Sequence, residues 1–285
     1  MTSRVTLQIF SGRPNPTLLL DDRQEHELHE RLSGLKTVTD RRAPGAFGGL
    51  GYRGFILSRD ATHPAGPLSL LVHAGVAEGG FLSPSLVDDS GVEAWLGDIF
   101  KGHLKGLPAG YLEAALRQPA QGFHLPQGVV GGCPACHAAD APAYNPGAWN
   151  IPAVQPYNNC YNYANNQATN TFAQPGRATG HPAAQMQCGD VQAAATSDGL
   201  HAVPNFTGNL GPGQGWYVAL VIWPNVDYHW YRQDSVGCWS HKPGQTAVRN
   251  VDNGGQPITD PQTCDRGPYV NFCTYMVTTR GVHIR

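Results

Sequence analysis

The chain has 285 residues, enough for two domains that each bury a core of their own. It carries 19 Lys and Arg against 21 Asp and Glu, a formal net charge of −2, with no Lys/Arg-rich run. Nucleic acids and anionic membrane surfaces require a basic patch, so neither is an expected partner. The longest apolar run, WYVALVIW at Trp216–Trp223, is too short to span a bilayer.

The composition changes sharply near residue 127. Residues 1–127 contain 13 Asp and Glu, one Asn (Asn15) and no Cys. Residues 128–285 contain no Glu, 14 Asn and all seven Cys. A shift of this size indicates two domains, 1–127 and 128–285. We expect the boundary in the Pro/Gly-rich stretch Gln118–Gly132.

The first part of the chain reads as a small α/β or α+β domain of unknown role. Alternating and β-rich runs predict strands, and apolar residues at helical spacing after Asp21 or Asp22 predict a helix. His26 and His29 lie three apart on that helix, and we assign them to a solvated face rather than to a metal site. The predicted elements are strands at Val5–Phe10, Gly51–Ser58 and Leu68–His73, and later helices at Val92–Phe100 and Ala109–Arg117.

The second part reads as mostly β with one short functional helix. Trp216–Trp223 is continuously apolar, as a strand buried on both faces should be. Turns and aromatic or β-branched runs then predict three more strands, at Tyr228–Gln233, Cys238–His241 and Tyr269–Val277. The predicted class of the whole chain is therefore α+β.

The segment QPYNNCYNYA at Gln155–Ala164 carries the candidate chemistry. Asn158 or Asn159 is a good N-cap, so Cys160 falls in the first turn of a helix. Unpaired backbone N–H groups and the helix dipole favour a thiolate there, which is the form that nucleophilic catalysis needs. Gln155 could place a side-chain amide where an oxyanion develops.

Cys-Tyr-Asn-Tyr-Ala resembles the nucleophile segment of the papain-like cysteine hydrolases, including their CHAP and NlpC/P60 branches. The resemblance implies a Cys-bearing helix packed on an antiparallel sheet, a His on a strand and a polar orienting residue. His229 in YHWYR and Asp252 or Asn250 in NVDNGG match that order. The tracts TNTFAQPG and WSHKPG match no motif of known function and suggest an uncharacterised bacterial family.

A structural interpretation of the same residues stands beside this one. A cysteine is more commonly buried in a core, and His229 could be a hydrogen-bonded histidine of a strand. If the pair is catalytic, Asp252 and Asn250 compete with Asp260 and Asp234 for the orienting role.

The other six cysteines can close three disulfides and leave Cys160 as the odd thiol. Disulfides imply an oxidising compartment, whereas the start MTSRVTLQIF lacks the features of a signal peptide. We therefore expect a soluble protein, with export by a signal-less route favoured over a cytoplasmic location. Cys133-Pro-Ala-Cys136-His137 could instead bind zinc together with Cys188, His181 or His201. The same pattern also matches haem attachment, and a plain disulfide clip is a third option.

The predicted function is a thiol-dependent hydrolase that cleaves an amide in a peptide or a peptidoglycan stem peptide. Cys160 attacks the carbonyl, His229 transfers the proton, and no cofactor is required. One alternative is a zinc- or copper-binding metalloprotein using the Cys/His-rich second half. The other is a non-enzymatic module that binds a glycan or a protein.

Overall fold

The computed structural model describes residues 2–37, 49–63, 66–79, 85–117 and 132–285. The chain divides into two compact units. The first comprises Met1–Ile9, Asn15–Phe47 and Tyr52–Phe123, and the second comprises Phe10–Pro14, Gly48–Gly51 and His124–Arg285. The predicted boundary at Gln118–Gly132 lies almost entirely outside the described residues, so the division at residue 127 stays a prediction.

In the described residues of the first unit, an antiparallel sheet is accompanied by three helices. The strands are β1 (Arg4–Leu7), β2 (Thr17–Leu19), β3 (Lys36–Thr37), β4 (Phe55–Arg59), β5 (Leu68–His73), β6 (Val76–Glu78) and β7 (Ser85–Val87), and the helices are α1 (Asp22–Ser33), α2 (Val92–Lys101) and α3 (Tyr111–Leu116). The strand order is β2-β1-β4-β5-β6-β7-β3, and all the described pairs are antiparallel. The sequence predicted either an α/β or an α+β domain for this unit, and the antiparallel strand pairs show that it is α+β.

Helix α1 begins where the sequence indicates. Asp21 is the N-cap, and its side chain accepts the backbone N–H of Gln24 while the Gln24 side chain accepts the N–H of Asp21. Leu28 is fully buried, whereas His26 and His29 are exposed and His26 lies 3.3 Å from Glu30. The solvated-face assignment of the two histidines agrees with this structure.

A second antiparallel sheet organises the second unit. Its helices are α4 (Pro146–Trp149), α5 (Cys160–Ala164) and α6 (Cys188–Ser197), with a 3₁₀ turn at Gln155–Tyr157, and its strands are β8 (His201–Val203), β9 (Trp216–Trp223), β10 (Asp227–Gln233), β11 (Trp239–His241) and β12 (Asn271–Thr278). The strand order is β11-β10-β9-β12-β8. The α+β class is confirmed by the two antiparallel sheets and the helices.

The core of the second unit is built around β9. All eight residues of this strand are buried, because it pairs with β10 on one side and β12 on the other and is apolar on both faces. Helix α5 packs against β10, and α6 packs against β9 and β12. The sheet therefore brings the segment that carries Cys160 onto the strand that carries His229.

Candidate functional site around Cys160

Cys160 is the first residue of α5, as the sequence predicts. The N-cap is Asn159, whose side-chain oxygen accepts the N–H groups of Tyr161 and Asn162 at 3.0 and 3.1 Å. Asn162 accepts the N–H of Asn159 in return, which completes a capping box. The helix ends at Ala164 because Asn166 adopts a left-handed conformation with φ +53°.

The thiol of Cys160 is fully buried. Burial raises its pKa well above the usual value, and the negative charge of Asp227 adds to the increase. The backbone of Trp230 and the ammonium of Lys242 only partly oppose this shift. Cys160 therefore holds its proton at neutral pH, and this is the opposite of the activated thiolate that the helix position suggests.

His229 projects from the face of β10 that lies away from α5. Two ring contacts join α5 to the near face: Tyr161 lies 5.4 Å from Trp230, and the Tyr163 ring lies 4.0 Å from the Arg232 guanidinium. Side chains alternate along a strand, so His229 points to the opposite side of the sheet. The structure consequently does not bring the Cys160 thiol and the His229 ring to one face.

A histidine pair holds His229 in place. Its Nε2 atom lies 2.9 Å from Nδ1 of His241, and Nε2 of His241 lies 3.1 Å from the carbonyl of Val251. When both rings are neutral, the Val251 carbonyl, which only accepts, requires the His241 hydrogen on Nε2, and Nδ1 of His241 then accepts the N–H of His229. His241, which the sequence analysis did not select, therefore occupies the orienting position assigned to Asp252 or Asn250.

The remaining predicted site residues have structural contacts. The carboxylate of Asp252 accepts the N–H groups of Gln256 and Asp265 at 2.8 and 3.0 Å and so closes its own turn. Asn250 is 7% exposed and follows the bridge between His241 and Arg249. The Gln155 amide donates to the Gln245 carbonyl at 3.3 Å, so it serves a loop contact rather than an oxyanion hole.

Two disulfides cross the second unit, Cys133–Cys238 and Cys188–Cys273. Cys136, Cys160 and Cys264 are free. The predicted number of three disulfides is therefore wrong, whereas the prediction that Cys160 is a free thiol is confirmed. Gly237 is required beside Cys238, because it has φ +89° and an added Cβ would lie 1.7 Å from the Pro134 carbonyl oxygen.

The proposed zinc ligands do not form one site. A disulfide sulfur is not a thiolate, which removes Cys133 and Cys188 from the set. Cys136 is free, and Nδ1 of His137 lies 2.9 Å from the Asn209 side-chain oxygen. Within the described ranges, no group of three or more His, Cys, Asp or Glu side chains is arranged to hold a metal ion.

Asparagine side chains tie the α5 segment to the loop that follows it. Asn158 exchanges hydrogen bonds with Asn170, its amide donating at 2.6 Å and its oxygen accepting at 3.0 Å. The Asn162 oxygen also accepts the N–H of Ala173, and the Asn159 amide donates to the carbonyl of the same residue. The abundance of Asn in this part of the sequence therefore reflects buried main-chain groups that need partners.

Lys242 is the single lysine after residue 127, and it is fully buried. Its ammonium donates to the carbonyls of Gln155, Asn158 and Gly244 at 2.6, 2.6 and 2.7 Å. All three of its hydrogens therefore have acceptors, and they fix the backbone that leads into α5. Lys242 lies in the tract WSHKPG, so the one lysine after residue 127 was the sequence signal for this contact.

Asp227 anchors the short Phe10–Pro14 segment of the second unit. Its carboxylate accepts the N–H groups of Ser11, Gly12 and Arg13 at 2.6, 3.2 and 2.9 Å, and the hydroxyl of Tyr269 also donates to it. Burial raises the pKa of Asp227, while these hydrogen bonds oppose the shift. The four donors replace water around a fully buried carboxylate. Asp227 therefore stabilises the fold and does not face a substrate.

The sequence comparison finds a relative. The chain is 50% identical over 135 residues to insoluble matrix shell protein 1 of Ruditapes philippinarum, and the match covers 47% of this chain and 87% of the relative. No family model matches the chain, and no solved structure matches it. Of the helices in the described ranges, none has the length and apolar character needed to cross a membrane.

This relative overturns the functional prediction. The assignment to a bacterial papain-like family is wrong, and so is the thiol hydrolase acting on peptide or peptidoglycan amides. The resemblance depended on a short motif whose physical basis is helix capping. A polar N-cap such as Asn159 stabilises the start of a helix whether or not the helix carries a nucleophile.

Proposed function

The chain belongs to the family of insoluble matrix shell protein 1, and from that premise we propose that it is a non-enzymatic structural component of an extracellular matrix. The observation that carries the proposal is 50% identity over 87% of the relative. This function falls in the class of the binding module that the sequence analysis held as an alternative, with other matrix macromolecules as the partners.

The disulfides support an extracellular location. Cys133–Cys238 and Cys188–Cys273 join residues 105 and 85 positions apart, and such bonds persist in oxidising compartments. Closing loops of this length stabilises the folded chain by restricting the unfolded one, by about 4–5 kcal/mol for each bond in the chain-entropy model. Durable cross-linking suits a protein that must remain folded outside the cell.

The interior of the second unit supports a non-enzymatic role. Cys160 and His229 are fully buried and lie on opposite sides of the sheet. The buried charges of Asp227 and Lys242 make hydrogen bonds to main-chain groups of the protein. Catalytic groups have to reach a substrate, whereas these side chains stabilise backbone.

Sequential extraction of the matrix tests the proposal. An antibody against the chain is applied to fractions released by salt, by denaturant alone, and by denaturant with a thiol reductant. We expect the chain in the matrix residue and in the denaturant fractions. Recovery from the intracellular soluble fraction, with none in the matrix, would overturn the proposal.

A second measurement addresses the absence of catalysis. The recombinant chain and its Cys160→Ala variant are incubated with a peptide library and with peptidoglycan, and products are followed by mass spectrometry. We expect no cleavage by either protein. Cleavage by the unmodified chain that disappears in Cys160→Ala would restore the hydrolase and contradict the structural role.

A further inference from the structure

Arg249 is a mostly buried cation of the second unit whose guanidinium makes no hydrogen bond with the residues that the structure describes. The residue is 7% exposed, and its Nε atom is fully buried and has no partner. Its backbone is well paired, with both hydrogen bonds to His241 at 2.8 Å. In the described part of the chain, however, no acceptor lies within hydrogen-bond distance of its guanidinium.

Arg232 is a buried arginine whose guanidinium is paired with acceptors of the protein, and it serves as a comparison. Arg232 is fully buried, and its Nε and Nη2 atoms donate to one carboxylate oxygen of Asp234 at 3.1 and 2.8 Å. The same guanidinium also donates to Asn166 and to Tyr163. Arg232 in β10 and Arg249, which bridges to β11, are thus nearly equally buried, and within the described residues only Arg232 has side-chain acceptors.

Of the guanidinium nitrogens, Nε is the one that is buried without a partner, and burying such a donor is unfavourable because its lost hydration is not replaced. The two Nη atoms are not buried in this way, so a ligand can reach them from outside. Burial lowers the pKa of Arg249, while Tyr144 and Asp252 oppose the shift. The guanidinium nevertheless stays protonated at neutral pH. The two Nη groups, which make no hydrogen bond within the described residues, match a planar oxyanion, which accepts two parallel N–H groups.

Asp252 and Tyr144 lie near Arg249 and would be the other contacts of a bound oxyanion. Asp252 is negative and attracts the Arg249 guanidinium, but its carboxylate already accepts two backbone N–H groups. Tyr144 is half-buried and interacts electrostatically with Arg249. Its hydroxyl donates to the Val248 carbonyl at only 3.4 Å, so that donor can turn to a stronger acceptor.

We propose that Arg249 is the anchor of an oxyanion-binding site that takes a carboxylate, with the Tyr144 hydroxyl as a second donor. The guanidinium supplies charge and a bidentate geometry, and the nearby Asp252 disfavours anions of higher charge. The carboxylate comes either from a small free anion or from an acidic side chain of a bound polypeptide. The site does not depend on the proposed matrix role, since it follows from the pairing of Arg249 alone.

Protection from phenylglyoxal tests the site in the unmodified protein. Modification of each arginine is followed by peptide mapping at constant ionic strength, in chloride and then in acetate, phosphate or an Asp-containing tripeptide. We expect acetate to slow modification of Arg249 at least tenfold and to leave the exposed Arg280 unchanged. Equal rates at Arg249 in chloride and acetate, or no modification of Arg249 in chloride, would overturn the proposal.

The series of anions shows where the bound carboxylate comes from and whether the site prefers a carboxylate to a phosphate. Protection by the tripeptide at much lower concentration than acetate assigns the carboxylate to a polypeptide, whereas equal protection per carboxylate assigns it to a small anion. Stronger protection by phosphate than by acetate would contradict the carboxylate assignment.

Matched variants provide a second readout. Arg249→Met keeps the length of the side chain and removes its charge, and Arg280→Met is the control at an exposed position. Acetate should raise the thermal midpoint of the unmodified chain and of Arg280→Met, and have no effect on Arg249→Met. An equal rise in all three proteins would contradict the site. If Arg249→Met does not fold, the protection measurement decides by itself.

Discussion

The Nε2 atom of His229 lies 2.9 Å from Nδ1 of His241, and Nε2 of His241 donates to the carbonyl of Val251 at 3.1 Å. The Tyr231 ring stacks on His241 at 5.0 Å. The histidine that the motif marks as a general base is therefore a structural donor in a buried aromatic cluster, on the side of the sheet away from Cys160.

Replacing His241 tests the structural role of this pair. His241→Phe keeps the stacked ring but removes the acceptor of His229 and the donor to Val251. We expect the free energy of unfolding to fall by about 1–3 kcal/mol, because buried polar groups lose a partner. Urea unfolding measures the change, with the exposed His201→Phe as a control that should be nearly neutral. An unchanged midpoint in His241→Phe would show that the pair does not stabilise the fold.

The reactivity of the three free thiols should follow their burial. Cys160 is fully buried with a raised pKa, and burial raises the pKa of Cys264 to about 12. Cys136 is half-buried. Under native conditions we expect iodoacetamide to modify Cys136 first and Cys160 last, because the thiolate is the reacting species. Peptide mapping over a time course measures the order, and preferential alkylation of Cys160 would contradict the assignment.

The raised pKa of Cys160 also predicts a pH dependence of stability. In the unfolded chain the thiol ionises above about pH 8.5, whereas in the folded chain it keeps its proton. The folded state then binds more protons than the unfolded state, so stability falls as pH rises beyond that value. Relative to Cys160→Ala, the unmodified chain should lose up to about 1.4 kcal/mol per pH unit. Parallel curves for the two proteins between pH 8 and 10.5 would contradict the shift.

Lys242 should be essential for the segment that precedes α5. Lys242→Met fills the same space but leaves the carbonyls of Gln155, Asn158 and Gly244 without their shared donor. We expect a loss of about 3 kcal/mol or more, since each buried acceptor deprived of a donor costs about 1–3 kcal/mol. Thermal unfolding measures it, with Lys105→Met as the control at an exposed lysine. A loss below that of the control would mean that other donors replace the ammonium.

Local sequence patterns predicted a strand or a helix start correctly where a single type of residue was enough to specify it. Trp216–Trp223 has the bounds expected from its apolar run, because a strand between two others is buried on both faces. Asn159 caps α5 and Asp21 caps α1, since an N-cap needs only a short polar side chain beside the first turn. The catalytic assignment failed because the same cap pattern starts helices of every function.

The sequence by itself determined that Trp230 and His229 lie on opposite faces of one strand, because side chains alternate with a period of two. Only the tertiary structure decided that α5 covers the Trp230 face, which places Cys160 and His229 on different sides of the sheet. The pairing of Cys133 with Cys238 and the burial of Lys242 among three carbonyls were likewise decided by the tertiary structure. Apart from the bond from Lys242 to Gly244, these contacts join residues more than 80 positions apart, and a local sequence pattern does not show which distant backbone groups will need a partner.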